Sequence, residues 1–326
     1  MEKTFWMVYL MATFSAMLFV HLVSAWDYHN ESKNWAKEYP NCGGRLQSPI
    51  AIEHKFTNYK KTSNLIFDGY LDTKHNATIM NTGHTVVIEV NGKSLVYGEG
   101  LKGKYIAYEI HFHWGMNDIV GSEHMLNGHR FPMEIHILHY SEKYPNSEKA
   151  SKYKGGLLVV AYFVKNDKSY ADNEDLADVV KNVKMVKFKG NRYPVISWKL
   201  EAFFPVNQTC YYRYEGSLTY PPCWETVIWV IFKDALQISS GQMNEFRTNL
   251  DELDESAVRI LMGNNFRPLQ ELNDRIIYRS CDPVMSDVTS SLSWSAVLLM
   301  LCQVGIFMDN SYFWYLVLHK YRPTEW

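Results

Sequence analysis

The chain has 326 residues, a formal net charge of −2 at pH 7 and an aromatic content of 15%. A near-neutral charge without a basic block argues against a nucleic-acid-binding protein. The aromatic content exceeds that of an extended or disordered chain and predicts a large packed core.

The first 25 residues are typical of a secretory signal peptide. A charged start, Met1–Lys3, precedes a mostly apolar run from Phe5 to Val23, and the small residues Val23 and Ala25 predict cleavage after Ala25. The alternative is a signal anchor that stays attached. Secretion permits disulfides and makes three sequons meaningful as glycan sites: Asn30-Glu31-Ser32, Asn76-Ala77-Thr78 and Asn207-Gln208-Thr209.

Residues 26–282 have the pattern of one β-rich domain. Alternating segments predict strands over Thr85–Val90, Tyr105–Trp114, Phe131–Tyr140, Leu157–Val164 and Thr226–Phe232. Helices are expected only in a few stretches, notably Asn173–Lys181 and Ser240–Asn249. The predicted fold class is therefore mainly β (α+β).

Three histidines in the strand segments predict a metal site. His111 and His113 are two apart, so both imidazoles point to the same face of a strand. His136 lies in the next alternating segment, which would be a neighbouring strand. Three neutral imidazoles with a fourth position open are the ligands of a catalytic zinc site. The His-x-His pair alone fits an ordinary core or surface pair equally well.

Two glutamates stand two residues before a candidate ligand, Glu109 before His111 and Glu134 before His136. On the same strand face, each carboxylate can accept the second N–H of its histidine and fix the tautomer. The alternative for each glutamate is a solvated strand residue.

Three further histidines are weaker candidates. His139 is three residues from His136 and faces the opposite side of the strand, and both His139 and His124 are expected to be buried and hydrogen-bonded rather than metal ligands. His84 follows a turn-like Gly83 at a strand entrance. It is either a plain surface residue or a proton relay, since imidazole titrates near neutral pH.

Several motifs occur together in one order along the chain. They are Trp26-Asp27-Tyr28, Trp35, Gln47-Ser48-Pro49-Ile50, Asn81-Thr82-Gly83-His84, His111-Phe112-His113-Trp114-Gly115, Gly121-Ser122-Glu123-His124, Glu134-Ile135-His136-Ile137-Leu138-His139, Gly216-Ser217-Leu218-Thr219-Tyr220-Pro221-Pro222-Cys223 and Asn265-Phe266-Arg267-Pro268. In this order they resemble the α-carbonic anhydrase family, over roughly Trp26 to Tyr278. The resemblance implies a large, twisted, mostly antiparallel central sheet with short peripheral helices and a zinc ion at the bottom of a cone.

The resemblance also implies an activity, the reversible hydration of carbon dioxide to bicarbonate and a proton by a zinc-bound hydroxide. The zinc ligands would be His111, His113 and His136. Thr219 would donate to Glu123 and accept from the hydroxide. His84 would be the proton shuttle and Tyr28 a solvent-ordering residue.

Other residues take their roles from the same resemblance. The apolar wall for carbon dioxide would comprise Leu138, Val159, Leu218, Val227 and Trp229, with Tyr220 also in the pocket. The partners of the zinc histidines would be Glu109, Glu134 and the backbone of Asn265. Cys42 and Cys223 match a disulfide of extracellular members; Cys210 and Cys281 are candidates for a second bridge that the sequence leaves open.

The chain departs from the family pattern at four positions near the pocket or the shuttle. Tyr220 replaces a threonine and adds bulk, Val87 and Thr82 alter the predicted water chain to His84, and Glu109 replaces a glutamine and adds a negative charge. We therefore expect an active enzyme that is slower than the fastest members.

The composition changes in residues 283–326, which read as a polar spacer and a hydrophobic tail. Leu292 to Met308 contains no charged residue, Asp309 interrupts, and a second apolar run ends before Lys320 and Arg322. One interpretation is a GPI signal with attachment near residues 286–290; the other is a membrane span. The tail has no unbroken run of about 20 apolar residues, and this favours the GPI interpretation. A disordered extension is the third possibility.

These observations define the expected protein and its rivals. It would be a monomeric zinc lyase that acts on carbon dioxide and bicarbonate. It would be extracellular or located at the cell surface, and its tail would hold it to the membrane. A binding module that lost catalysis is the rival from another class, and Tyr220 is the residue that favours it. Hydrolysis of small activated esters would be a side reaction of the same site.

Overall fold

The computed structural model describes residues 26–28, 32, 34–61, 64–73, 77–98, 100–195, 198–205, 208–249, 251–253 and 259–281. The predicted signal peptide, the tail after Cys281 and the three sequon asparagines (Asn30, Asn76 and Asn207) lie outside these residues. Every element below belongs to the unit Met1–Ser280.

Short and long strands make up most of the regular structure. They are β1 (Ala51–Ile52), β2 (Asn58–Tyr59), β3 (Ile66–Asp68), β4 (Ala77–Asn81), β5 (Val86–Glu89), β6 (Leu95–Tyr97), β7 (Tyr105–Trp114), β8 (Met125–Leu126), β9 (Met133–Ser141), β10 (Leu157–Asp167), β11 (Arg192–Val195), β12 (Tyr211–Gly216), β13 (Val227–Ser239), β14 (Asp251–Leu253), β15 (Arg259–Leu261) and β16 (Tyr278–Arg279).

The helices are short. They are α1 (Trp35–Glu38), α2 (Ser147–Ala150), α3 (Ala177–Val183) and α4 (Ser240–Asn249), with 3₁₀ turns at Pro40–Gly43, His54–Phe56, Glu174–Leu176 and Leu200–Phe203. None of the helices in the described ranges is long and apolar enough to cross a membrane.

One large sheet has the strand order β11-β4-β5-β7-β9-β10-β13-β12-β16-β2, and β3 joins it through β6, which pairs with β7. Its neighbours are antiparallel except for the parallel pairs β10–β13 and β16–β2. Two small sheets, β1–β8 and β14–β15, lie outside it. The predicted mainly β fold, with a mostly antiparallel sheet and short helices, is confirmed.

Several predicted boundaries differ from the structure at polar ends. Strands β10 and β13 continue beyond their predicted ends because their polar termini pair with each other, Asp167 opposite Ser239. The helix predicted from Asn173 begins as a 3₁₀ turn, and the Asn173 side chain accepts a hydrogen bond from the Leu176 N–H. Ser240–Asn249 is helical as predicted.

The two faces of strands β7 and β9 have different environments. Ile110 and Phe112 of β7, with Ile135 and Ile137 of β9, are buried in a core cluster on one face. Because side chains alternate along a strand, the residues between them point to the opposite face. The histidines of the candidate site are among these intervening residues.

His139 lies on the core face, as predicted. Its Nδ1 approaches the carbonyl oxygen of Leu158 at 3.3 Å, and its Nε2 is paired with the Tyr70 hydroxyl. The ring is fully buried, and this burial lowers the pKa of His139 to about 3.

The low pKa of His139 predicts a loss of stability in acid. A histidine whose folded pKa lies below its unfolded value of about 6.5 stabilises the fold fully above that pH and loses this contribution as the pH falls. Between pH 7 and pH 4 we expect a cost of about 3 kcal/mol in the free energy of unfolding. Urea denaturation at both pH values gives the free energy of unfolding of the parent and of His139→Gln. The expected cost is the change, from pH 7 to pH 4, in the difference between these two free energies. A difference independent of pH would contradict the prediction.

A disulfide joins Cys42 to Cys223 across 181 residues of sequence, as predicted. It ties the 3₁₀ turn Pro40–Gly43 to the segment that follows Thr219. Cys210 and Cys281 are each disulfide-bonded as well.

Removing the first bridge should destabilise the domain. A long closed loop predicts a loss of about 2–5 kcal/mol in the free energy of unfolding for the Cys42→Ser/Cys223→Ser double variant, chiefly through the unfolded chain. Cys302→Ser, which removes the cysteine of the tail, is the matched control. Equal urea midpoints for the two variants would show that the bridge does not stabilise the fold.

Candidate metal centre

Neighbouring strands bring the three predicted histidines together. His111 on β7 stands directly opposite His136 on β9, and His113 stands opposite Glu134. The three ring centroids are 4.6–5.1 Å apart. One nitrogen of each ring lies within 4.8 Å of the others, and all three side chains are buried.

The second nitrogen of each ring is held by an oxygen acceptor. His111 Nδ1 donates to Glu109 Oε1 at 3.2 Å, His113 Nδ1 to the Asn265 carbonyl oxygen at 2.7 Å, and His136 Nε2 to Glu134 Oε1 at 2.7 Å. These acceptors assign the tautomers and leave one lone pair on each ring for a metal.

The lone pairs face each other without a donor between them. His113 Nε2 is buried and has no hydrogen-bond partner among the described residues. His111 Nε2 and His136 Nδ1 are 3.1 Å apart, yet both are acceptors in the assigned tautomers. A cation that accepts three nitrogen lone pairs satisfies all of them, and neutral imidazoles with an open fourth position suit zinc. The residues therefore fit this metal.

Burial keeps the imidazoles of His113 and His136 neutral. It lowers the pKa of His136 to about 4. Burial, together with the neighbouring His136 and His111, lowers the pKa of His113 well below its usual range. Neutral imidazole is the form that binds a metal ion.

Glu134 connects two histidines. Its Oε1 accepts from His124 Nδ1 and from His136 Nε2, both at 2.7 Å, and its Oε2 accepts from the His124 backbone N–H at 2.8 Å. Burial alone would raise the pKa of Glu134, but His124 and His136 hold it well below its usual range. The sequence predicted the contact with His136 but not the one with His124. His124 Nε2 also bonds the Tyr214 hydroxyl at 2.7 Å, so His124 is buried and hydrogen-bonded as expected.

Glu123 and Thr219 are both buried beside the triad. Glu123 Oε1 accepts from the Arg267 backbone N–H at 2.9 Å, and its Oε2 is 3.5 Å from His113 Nε2. Burial raises the pKa of Glu123 to about 8, although the Arg267 N–H and the Thr219 side chain oppose the rise. Glu123 therefore lies next to His113 of the triad, and the Thr219 side chain is close enough to influence its pKa.

The predicted apolar wall lies in one buried cluster, comprising Leu138, Val159, Leu218, Val227 and Trp229. Val159 and Trp229 are direct neighbours across the parallel pair β10–β13. The Trp229 ring is 4.9 Å from the His136 ring. The wall therefore borders the triad without supplying a competing polar group.

An aromatic stack stands at the rim of the site. The Trp26 ring lies nearly parallel to His84 at 3.9 Å and to Tyr220 at 6.0 Å. His84 Nε2 donates to the Trp26 carbonyl oxygen at 2.6 Å. Tyr220 meets the His111 ring at 5.9 Å, and Tyr28 stands edge-on to His113 at 6.0 Å.

The other three positions that depart from the family pattern lie next to histidines of the site. Val87 on β5 is buried directly opposite His111, and Thr82 donates to the Thr85 carbonyl oxygen at 3.0 Å. The Glu109 side chain remains 27% exposed. Its charge therefore stays partly solvated while it holds His111.

Arg267 is a supporting residue to which sequence reasoning gave no role. It is 2% exposed, and its guanidinium donates to Gln47 Oε1 and the Ser48 carbonyl oxygen, each at 2.8 Å, and to the Cys42 carbonyl oxygen at 3.0 Å. Its own N–H holds Glu123. The motif that contains Arg267 was visible in the sequence, but no local pattern marks an arginine as buried.

Comparison with known proteins identifies relatives over most of the chain. The family model for eukaryotic-type carbonic anhydrase matches residues 30–281. Carbonic anhydrase 12 of Homo sapiens is 35% identical over 291 residues, which cover 87% of this chain and 80% of the relative. Carbonic anhydrase 6 of Homo sapiens is 33% identical over 78% of this chain and 83% of its own length. Carbonic anhydrase 7 of Homo sapiens is 33% identical over 78% of this chain and 97% of its own length.

Proposed function

Because the chain belongs to the eukaryotic-type carbonic anhydrase family and is a carbonate dehydratase, we propose that it hydrates carbon dioxide with zinc held by His111, His113 and His136. The observation that carries the proposal is the triad itself, three buried imidazoles whose free lone pairs converge. Carbonic anhydrases are the reference case for what such an ion supplies, a bound water whose pKa is lowered to about 7.

The surrounding residues orient the reactants. Glu123, whose Oε1 accepts from the Arg267 N–H, would accept from the Thr219 hydroxyl. With its proton committed to Glu123, the Thr219 oxygen is left as an acceptor for the nucleophile and directs the nucleophile's lone pair toward the substrate carbon. The wall that contains Val159 and Trp229 favours an uncharged substrate over water.

The product proton must reach solvent after each turnover. His84 stands at the rim, where imidazole can pass protons near neutral pH. Tyr28, which stands edge-on to His113, would order the water between the metal site and His84. These two roles follow from the family pattern and from the position of each side chain.

Stopped-flow hydration of carbon dioxide by the full chain, before and after zinc is stripped, tests the function. Activity that disappears with the metal and returns with it is expected. A folded, zinc-loaded protein without activity would favour a binding module instead. Ester hydrolysis measured in parallel should follow the same metal dependence.

The disulfides support an extracellular location. Cys42–Cys223 is a structural bridge, and Cys210 and Cys281 are also bonded; such bonds persist in oxidising compartments. We further propose a signal peptide over 1–25, a catalytic domain over 26–282 and a membrane anchor within 283–326, with glycans at the three sequons and a monomeric state. Release from cells by phosphatidylinositol-specific phospholipase would indicate GPI; retention would indicate a membrane span.

Tyr220 is expected to slow the enzyme by narrowing the pocket. Its ring contacts both Trp26 and His111, so Tyr220→Thr should widen access and raise kcat/KM for carbon dioxide. Tyr220→Phe keeps the ring and should leave the rate close to that of the parent. If the threonine variant is no faster, the bulk of Tyr220 does not limit the reaction.

A further inference from the structure

Trp26 has two properties that bear on proton transfer. It is the residue that follows the predicted cleavage site at Ala25, and it is the direct partner of His84 through its ring and its carbonyl oxygen. Removal of the signal peptide after Ala25 would convert the Trp26 peptide nitrogen into a primary amine. We propose that this amine is a second proton-relay group of the active site, created by signal-peptide cleavage.

The position of the amine follows from covalent geometry. The nitrogen and carbonyl oxygen of one residue are at most about 3.6 Å apart. Since His84 Nε2 lies 2.6 Å from the Trp26 oxygen, the amine is within about 6 Å of the imidazole. One bridging water spans such a gap. Trp26 is only half-buried, which gives the amine a route to bulk solvent.

The chemistry of an α-amine suits this place. Its ordinary pKa of about 7.7–8.0 lies close to working pH, as an efficient relay requires. The neutral amine forms an N–H bond as an O–H bond of the bridging water breaks, and that water recovers a proton from the pocket side. The ammonium then gives one proton to buffer and returns to the neutral amine, so the cycle balances without a redox step.

The neighbouring phenols do not compete for this role. Among the described residues, the titratable groups beside Trp26 are its chain neighbour Asp27 and the rings of Tyr28, His84 and Tyr220. Burial raises the pKa of Tyr28 well above its usual value and raises that of Tyr220 as well. Both phenols therefore stay protonated at working pH and do not compete with the amine.

The test displaces the amine without changing any residue of the site. Two glycines inserted between Ala25 and Trp26 move it by up to about 7 Å. The full chain is expressed in a secretory host, and the mass of its N-terminal peptide establishes where cleavage occurs. Isotopic oxygen exchange then separates proton release from the interconversion of carbon dioxide and bicarbonate.

We expect the insertion to slow proton release near pH 8 in dilute buffer, by about tenfold in a His84→Ala background. Interconversion should be unchanged, and added imidazole should restore turnover. A purely structural disturbance would also slow interconversion, and imidazole would not repair it. As a readout independent of activity, acylation of the Trp26 amine in zinc-free protein should titrate with a pKa of about 8.

Two results would overturn the inference, a secreted chain that does not begin at Trp26 and an insertion that leaves proton release unchanged. The inference rests on the proposed function, but the two fail differently. Absence of interconversion in the parent enzyme would refute the function, whereas normal interconversion with unaltered proton release would refute only the relay.

Discussion

Replacing His113 by alanine is expected to release zinc and to reduce carbon dioxide hydration to the uncatalysed rate. His113 Nε2 is a buried lone pair without a hydrogen-bond partner among the described side chains, which is the arrangement of a metal ligand. Loss of a ligand's hydrogen-bond partner alone typically costs about 10- to 100-fold in metal affinity, so loss of the ligand should cost at least about 100-fold. Zinc content after dialysis and stopped-flow rates measure both effects.

A matched variant separates metal loss from a general effect of removing a histidine. His129 is exposed, so His129→Ala should keep both zinc and activity. Thermal unfolding of metal-free parent and metal-free His113→Ala shows whether the variant is folded. Parental zinc affinity in a folded His113→Ala protein would exclude His113 as a ligand.

Replacing Thr219 by valine should lower kcat/KM by about 100-fold with zinc retained. Valine keeps the shape of the side chain but removes the hydroxyl that we propose donates to Glu123. Misdirection of a reacting group commonly lowers the reaction rate by about 10²-fold. Loss of one well-placed polar contact lowers kcat by about 10²–10³-fold. Stopped-flow kinetics together with zinc analysis measure the two quantities.

Two controls test whether the hydroxyl of Thr219 is responsible. Thr219→Ser restores a hydroxyl at this position and should recover most of the rate. Thr226→Val makes the same chemical change at a buried hydroxyl that has no hydrogen-bond partner in the described part of the chain, and it should have little effect. A serine variant as slow as the valine variant would show that packing, not orientation, limits the reaction.

The local features of the site were predictable from the sequence. The spacing of His111 and His113 required a common face once the segment was a strand, and β7 has the predicted bounds. Glu134 was expected beside His136 for the same reason. Alternation also placed His139 on the opposite face, where it is buried against Tyr70.

Long-range features were not predictable from local pattern. The pairing of His111 with His136 depends on the register of two strands, which family resemblance supplied and spacing did not. Arg267 is buried because its guanidinium meets backbone oxygens from Cys42 and Ser48, segments more than 200 residues away in sequence. The stacking of Trp26 on His84 likewise joins residues whose local patterns are unrelated.

The parallel pairing of β10 with β13 has a consequence for chain entropy. His111 and His136 are 25 residues apart, whereas the pairing of Val159 with Trp229 closes a loop of about 70 residues. The entropic cost of closing a loop of n residues grows as about (3/2)RT ln n. The apolar wall therefore costs about 1 kcal/mol more to assemble than the triad. Since non-local strand pairing is also slow, the folding chain is expected to hold its metal ligands together before it can hold a substrate.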